Sequence, residues 1–432
     1  MEAVLRVGFG VFGLAVLIGL TWLFSNNKTR VDWRLVGIGL LLQLTIAALV
    51  LLTPWGAGVF DALSSGFVKL LGFTTEGARF IFGDFSDPSK FGFVFAFQVL
   101  PTIIFFASFM SVLYHLGAMQ KIVQGMAWVI TKLMRVSGAE TLSVCANAFI
   151  GQTEAPLVVK PYIAGMTPSE LLTLMVGGMA TIAGGVLGAY VLLLGGDDPA
   201  QQAVYAKHLI TASIMAAPAT IVIAKILVPE TGEPQTLGSV RVNVEKTTTN
   251  VIDAAAAGAA DGLRLALNVG AMLLAFIALI ALINAPLAWL GEITGLQALL
   301  GKPTTLSTLL GYLLAPLAWL IGVPWEDAGT VGGLIGTKVV LNEFVAYVQL
   351  GEILRGNVAG VTLTPQGTLI ATYALCGFAN FSSIAIQIGG IGGIAPERRQ
   401  DLARFGLRAV LGGSIATMMT ATIAGVLTNL GA

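Results

Sequence analysis

Residues 147–165 read NAFIGQTEAPLVVKPYIAG inside an otherwise oily chain. Gln152 carries amide donors and an acceptor, Thr153 a hydroxyl, and Glu154 a carboxylate that only accepts when ionised. Consecutive helical residues point about 100° apart and cannot share a face. A break in the helix would let all three meet one ligand, and Gly151 before them and Pro156 after them suit such a break. An ionisable side chain at membrane depth is expensive and marks a functional site by default.

A second acid-and-amide pair lies in KVVLNEFVAY as Asn342 and Glu343. Lys338, five positions before Glu343, offers the alternative of a structural ion pair. Further on, Asn380 and Ser383 are three apart and share a helix face, with Phe378 nearby. An aromatic ring beside hydrogen-bonding groups suits a planar, polar ligand. IGGIGGI looks like a phosphate loop but follows no strand, so it reads as close helix packing. Asn147 and Thr181 supply neutral oxygens of the kind a hard cation takes at a broken helix. Hydrogen bonding between helices is the alternative for both. Cys145 and Cys376 show no metal spacing and read as free thiols in helix packing. His115 and His208, near span ends, read as interfacial.

The elements that position these residues follow from composition. The chain is 56% hydrophobic and only 11% charged, with no net charge, against about a quarter charged in soluble domains. It reads as an all-α polytopic membrane protein with eight transmembrane helices, and nothing in its charge points to nucleic acid. Spans are expected near 6–25, 35–53, 92–114, 168–195, 206–228, 262–288, 366–395 and 407–430. Between the third and fourth, QKIVQGMAWVITKLMRV has the basic, amphipathic pattern of an interfacial helix. Segments 54–91, 196–205 and 290–324 read as loops, the last containing an apolar stretch interrupted by Gly311 and Pro316. Segments 137–165 and 325–352 read as re-entrant helical hairpins.

The positive-inside rule places four basic loops on one side: Lys28, Arg30 and Arg34; Lys121, Lys132 and Arg135; Arg241 and Lys246; and Arg398, Arg399, Arg404 and Arg408. Both termini are then outside. The two hairpins enter from opposite sides. After each hairpin a Thr-Pro pair, Thr167-Pro168 or Thr364-Pro365, can cap and start a helix. A cluster of small and polar residues then interrupts it, GGMATIAGG in one case and CGFANFSS in the other. The units are 1–136 (scaffold), 137–230 (first repeat), 231–324 (scaffold) and 325–432 (second repeat). Inverted repeats with interrupted helices point to a secondary transporter with a midplane site.

At GQTEAP, LNEFVAY and CGFANFSS, in that order, the chain resembles the concentrative nucleoside transporter family in its shorter bacterial form. The resemblance covers nearly the whole chain. It implies a bacterial cytoplasmic (inner) membrane protein importing nucleosides such as uridine with a sodium gradient, by alternating access, and assembled as a homotrimer. It assigns Gln152, Thr153 and Glu154 to the nucleobase, helped by Val186. Glu343, Asn380 and Ser383 go to the ribose, with Phe378 near the ligand. Na⁺ would be held by the side chains of Asn147 and Thr181 and the backbone oxygens of Ile150 and Ile182. Relatives carry serine where this chain has Thr181; the hydroxyl is kept. Rival readings are proton coupling through a buried Glu154 or Glu343, a passive channel, and an intramembrane hydrolase using paired glutamates.

Overall fold

The computed structural model describes residues 2–238 and 248–431; Arg241 and Lys246, used above for orientation, lie outside the described residues. Among the described residues there is no β-strand, only an isolated bridge between Ser137 and Leu237. The helices are α1 (Glu2–Leu23), α2 (Trp33–Leu52), α3 (Pro54–Phe82), α4 (Phe95–His115) and α5 (Ala118–Met134). Next come α6 (Gly138–Asn147), the short α7 (Lys160–Ile163), α8 (Pro168–Ala180), α9 (Gly184–Gly195) and α10 (Pro199–Leu227). The chain continues with α11 (Val251–Ile293), α12 (Leu306–Leu320), α13 (Trp325–Val340) and α14 (Glu343–Leu354), then α15 (Pro365–Ala374), α16 (Phe381–Ile394) and α17 (Arg399–Gly431).

Seven helical segments among the described residues are long and apolar enough to cross a bilayer: α1, α2, α4, the 168–195 segment, α10, α11 and 396–428. The span expected at 366–395 is divided into α15 and α16, neither of which is long enough alone. More than three quarters of the apolar window is buried in the 168–195 segment, α10 and α17, against under a third in α1, α2, α4 and α11. The hydrophobic core therefore lies on the first three, and the others turn apolar faces outward.

All three expected loops contain helix; most of 196–205 is the start of α10, which begins at Pro199 with the Asp198 side chain accepting from the Ala200 amide. Segment 54–91 begins with α3, started by the Thr53 side chain accepting from the Gly56 amide and by Pro54 in its first turn. Its buried positions, Gly56, Ser64, Leu71, Thr74 and Ala78, fall on one face, while Trp55, Phe73, Phe80 and Ile81 are exposed. A helix of this amphipathic kind has too many polar residues to read as a span. Segment 290–324 contains α12, which Gly311 and Pro316 do not interrupt. Proline removes one backbone hydrogen bond, and packing along α13 holds the rest, with Gly311 lying against the Gly329 carbonyl. The two helices turn through 116° at their junction. The basic stretch after α4 is helical as expected, with Met119, Val123, Ala127, Ile130 and Met134 buried along one side of α5.

The helix α11, the least buried of the seven, reaches well beyond its expected 262–288. It starts where the Asn250 side chain accepts from the Asp253 amide at 2.9 Å. It lies along α4, where a Cβ on Gly258 would stand 2.7 Å from the Ala107 carbonyl and one on Gly262 2.8 Å from Ile104 Cα. Small residues four apart permit this close helix contact.

One sequence of elements occurs twice. A helical limb (α6 or α13) leads to a tip and a second limb (155–163 or α14). A helix broken in the middle follows (α8/α9 or α15/α16), then a long helix (α10 or α17). Each broken helix starts as its sequence predicts. Thr167 accepts from the Glu170 amide at 3.1 Å while Glu170 accepts from the Thr167 amide at 2.9 Å. Thr364 accepts from the Gly367 amide at 3.0 Å.

Candidate substrate and cation site

The helix breaks bring the chemistry together. After Ala180 the chain extends through Thr181 (φ −126°, ψ 168°) before α9 begins at Gly184. After Ala374 it runs irregularly to Asn380, whose side chain caps α16 by accepting from the Ser383 amide at 2.9 Å. Asn342 caps α14 in the same way, accepting from the Val345 amide at 2.9 Å. The paired amides of the sequence are thus helix caps, and each places a polar side chain in the next first turn.

Glu343 occupies the first turn of α14 and is buried. Its two oxygens accept from the Tyr190 hydroxyl and the Asn380 side-chain amide, both at 3.0 Å. The N-terminal end of a helix carries partial positive charge, so α14 offsets part of the cost of burying a carboxylate. Lys338 does not pair with it. The lysine ammonium instead donates to the Ala374 carbonyl at 2.8 Å and the Thr417 hydroxyl at 2.9 Å. Leu341 (φ −108°, ψ −89°) turns the chain between them.

Gln152 is buried and joins the same region from the first hairpin. Its side-chain amide donates to the Ser383 hydroxyl at 3.0 Å, and its carbonyl accepts from Gln387 at 3.1 Å. Its two neighbours point elsewhere in this conformation. Thr153 is half-buried, and a Cβ on Gly390 would lie 3.2 Å from its methyl group. Glu154 is exposed, and among the described residues its side chain makes no hydrogen bond or ion pair; the expected burial applies to Glu343, not to Glu154. Val186 is buried in the first turn of α9, and Phe378 is half-buried. Of the IGGIGGI glycines, Gly390 and Gly392 lie against neighbouring side chains while Gly389 and Gly393 face open space.

The expected cation ligands sit where α6 and α8 end. Asn147 and Thr181 are both 1% exposed. The Thr181 hydroxyl lies 3.1 Å from the Asn147 carbonyl and 3.0 Å from the Gly177 carbonyl, and is oriented to donate to both. Asn147 Oδ1 is buried with no donor. Ile182 is fully buried and Ile150 half-buried. Helix C-termini carry partial negative charge, so two of them converging beside neutral oxygens suit a cation.

Tyr190 and Gln387 are additions that the sequence reading missed. Each lies one turn beyond a residue it had singled out: Tyr190 follows Val186 by four positions and Gln387 follows Ser383 by four. That spacing puts each on the same helix face. Tyr190 also stacks on Tyr347, ring centroids 4.4 Å apart. Cys145 and Cys376 are free and buried. His208 is half-buried inside α10, its Nδ1 3.1 Å from the Tyr373 hydroxyl.

Three family models match the chain. They are described as Na+ dependent nucleoside transporter N-terminus (residues 12–85), Nucleoside recognition (96–197) and Na+ dependent nucleoside transporter C-terminus (208–425). The nucleoside permease NupC of Helicobacter pylori is 41% identical over 430 residues, which span 98% of each chain. Sodium/nucleoside cotransporter 1 of Mus musculus is 40% identical over 96% of this chain and 63% of its own length. Among solved structures, CNTnw in an inward-facing substrate-bound state gives a TM-score of 0.89 at 43% identity, covering 98% of this chain and 99% of that one. A CNTnw variant in an outward-facing state gives 0.89 at 43% identity, covering 99% and 98%.

Proposed function

Since this chain belongs to the Na+ dependent nucleoside transporter family, we propose that it holds its nucleoside between the two helix breaks and its sodium ion beside the first. It is a membrane transporter of nucleosides with sodium as the coupling ion, and it works by alternating access. Residue roles, topology and assembly are the proposal.

Glu343, Asn380 and Ser383 take the ribose, with Phe378 alongside. A carboxylate has about four acceptor sites, so the two bonds from Tyr190 and Asn380 leave lone pairs for a vicinal diol. Gln152, Thr153 and Glu154 take the base, with Val186. Closure around substrate would turn Thr153 and Glu154 inward from their present directions. Asn147 and Thr181 side chains and the Ile150 and Ile182 carbonyls take Na⁺. The unpartnered Asn147 Oδ1 beside the Thr181 hydroxyl is the observation that carries the sodium assignment. A buried acceptor without a donor is costly, and an ion supplies what it lacks.

Sodium binding orders the first hairpin tip against α8, which favours nucleoside binding; linkage makes the reverse effect equal. Units 137–230 and 325–432 move as inverted repeats against scaffold units 1–136 and 231–324. The hairpins are re-entrant, both termini are outside the cytoplasmic (inner) membrane of a bacterium, and the assembly is a homotrimer with one site per protomer. Uridine uptake into proteoliposomes tests the central assignment. Accumulation is expected with an inward sodium gradient. Accumulation driven by a proton gradient alone overturns the sodium assignment, and failure to accumulate uphill favours a channel.

A further inference from the structure

Lys338 has no part in the scheme above, yet it is 1% exposed and among the largest fully buried side chains. Among the described residues it makes no ion pair. Burying an ammonium without a counter-ion is costly unless hydrogen bonds and dipoles replace the water it loses. Its two acceptors are neutral: the carbonyl of Ala374, the last residue of α15, and the hydroxyl of Thr417 on α17. The C-terminal carbonyls of α15 are the electrostatic counterpart.

The first unit has the same arrangement with one substitution. There too the preceding hairpin limb meets the end of the broken helix's first half, through Asn147 and Thr181. At that break the limb brings oxygens only, and one of them, Asn147 Oδ1, lacks a donor. At the break in the second unit the limb brings a cation. Both broken helices end in carbonyls that favour positive charge, and only one is supplied with it by the chain.

We propose that Lys338 is a tethered counterpart of the coupling ion: a positioning residue whose ammonium does permanently at the α15 break what sodium does reversibly at the α8 break. The inference rests on the sodium assignment at Asn147 and Thr181. It explains why one half of the site is preassembled, with Glu343, Asn380 and Tyr190 already bonded, while the other half waits for an ion. Lys338 touches neither ligand; it acts by fixing the segment between Ala374 and Asn380.

The test uses purified full-length variants, with uridine affinity measured against Na⁺ concentration and thermal unfolding measured with and without Na⁺. Lys338→Met should weaken uridine binding by more than about tenfold, as loss of a buried charged hydrogen-bond donor does, while Na⁺ still raises the melting temperature through the first site. Lys338→Ser removes the charge and leaves space and a hydroxyl. Its uridine binding should return at high Na⁺, with the Hill coefficient for Na⁺ rising from about one towards about two. A purely structural lysine would not produce that second ion dependence. Uridine affinity within about threefold of the parent in Lys338→Met overturns the proposal, as does lost binding with an unchanged Hill coefficient in Lys338→Ser. If neither variant folds, Thr417→Val decides, because it keeps the charge and drops one acceptor. Affinity within about threefold of the parent supports the charge, and a loss beyond about tenfold shows a hydrogen-bonded clamp instead. Sodium activation that survives Thr181→Val in the parent would remove the first-site assignment separately, without altering these results.

Discussion

The Phe378 amide donates to the Thr181 carbonyl across 3.3 Å. This bond joins the two helix breaks directly, Thr181 belonging to the first and Phe378 to the second. Thr181 also holds Asn147 through its hydroxyl, and two residues after Phe378 the Asn380 side chain holds Glu343. On the proposed assignment, a cation at Thr181 and a nucleoside at Glu343 would bias one continuous hydrogen-bonded segment.

Gly377 makes that crossing possible. A Cβ there would stand 2.7 Å from the Met179 carbonyl oxygen and 3.0 Å from the Ala180 carbonyl carbon, both backbone atoms that cannot rotate away. Gly377→Ala should lower stability by about 1–3 kcal/mol through overpacking and weaken the effect of sodium on uridine binding. Thermal unfolding and uridine titrations at two sodium concentrations check both.

Glu343→Gln tests the carboxylate with little change of shape. Both oxygens of Glu343 accept, from Tyr190 and Asn380. A glutamine must present an amide in place of one oxygen, and that amide meets a donor. Uridine transport efficiency should fall by about tenfold to a hundredfold, the range for a lost charged hydrogen bond. Normal transport by this variant would remove Glu343 from the ribose role.

Thr181→Val keeps the volume and removes the hydroxyl that joins Asn147 and Gly177. The sodium concentration for half-maximal uptake should rise by about tenfold or more, with a smaller change in uridine affinity at saturating sodium. Sodium-activation curves in proteoliposomes measure the separation.

Gln387→Leu should loosen the base side. Gln387 donates at once to the Gln152 carbonyl and the Met175 backbone, at 3.1 and 3.0 Å, so it fixes which way the Gln152 amide faces. Losing one such bond costs about 1 kcal/mol. The preference between purine and pyrimidine nucleosides should narrow by about fivefold, read from competition for uridine uptake.

The sequence was informative where local chemistry decides local structure. Thr-Pro starts and small-residue breaks are short-range signals, and they place the starts of α8 and α15 and the interruptions after them where the pattern puts them; the asparagine caps of α14 and α16 emerge only in the structure. It was weaker where a third element decides. Spacing alone leaves Lys338 and Glu343 as a possible pair, but the turn at Leu341 and the end of α15 direct the lysine to Ala374. Gln152, Thr153 and Glu154 lie within one tip, yet only the first two meet α16, at Ser383, Gln387 and Gly390, while Glu154 is exposed. Polar and apolar residues on opposite faces hide α3 from a search for spans, and α12 is hidden because glycine and proline act as breakers only when packing does not override them.

The length of α11 has a consequence for the surrounding lipid. At ~1.5 Å per residue its 43 residues extend ~64 Å, and even a steep tilt of about 40° leaves ~49 Å along the membrane normal, against a hydrocarbon thickness of ~30 Å. The excess must stand in headgroups and water. Asp253, Asp261 and Arg264, the last two exposed and paired at 3.8 Å, are the charged groups in its first third. There α11 still follows α4, with the Ser108 hydroxyl donating to the Ala255 carbonyl at 2.8 Å. α4 thus covers one side of α11 over this first stretch, and a change in membrane thickness should shift where the rest of α11 meets the lipid before it disturbs the helix breaks.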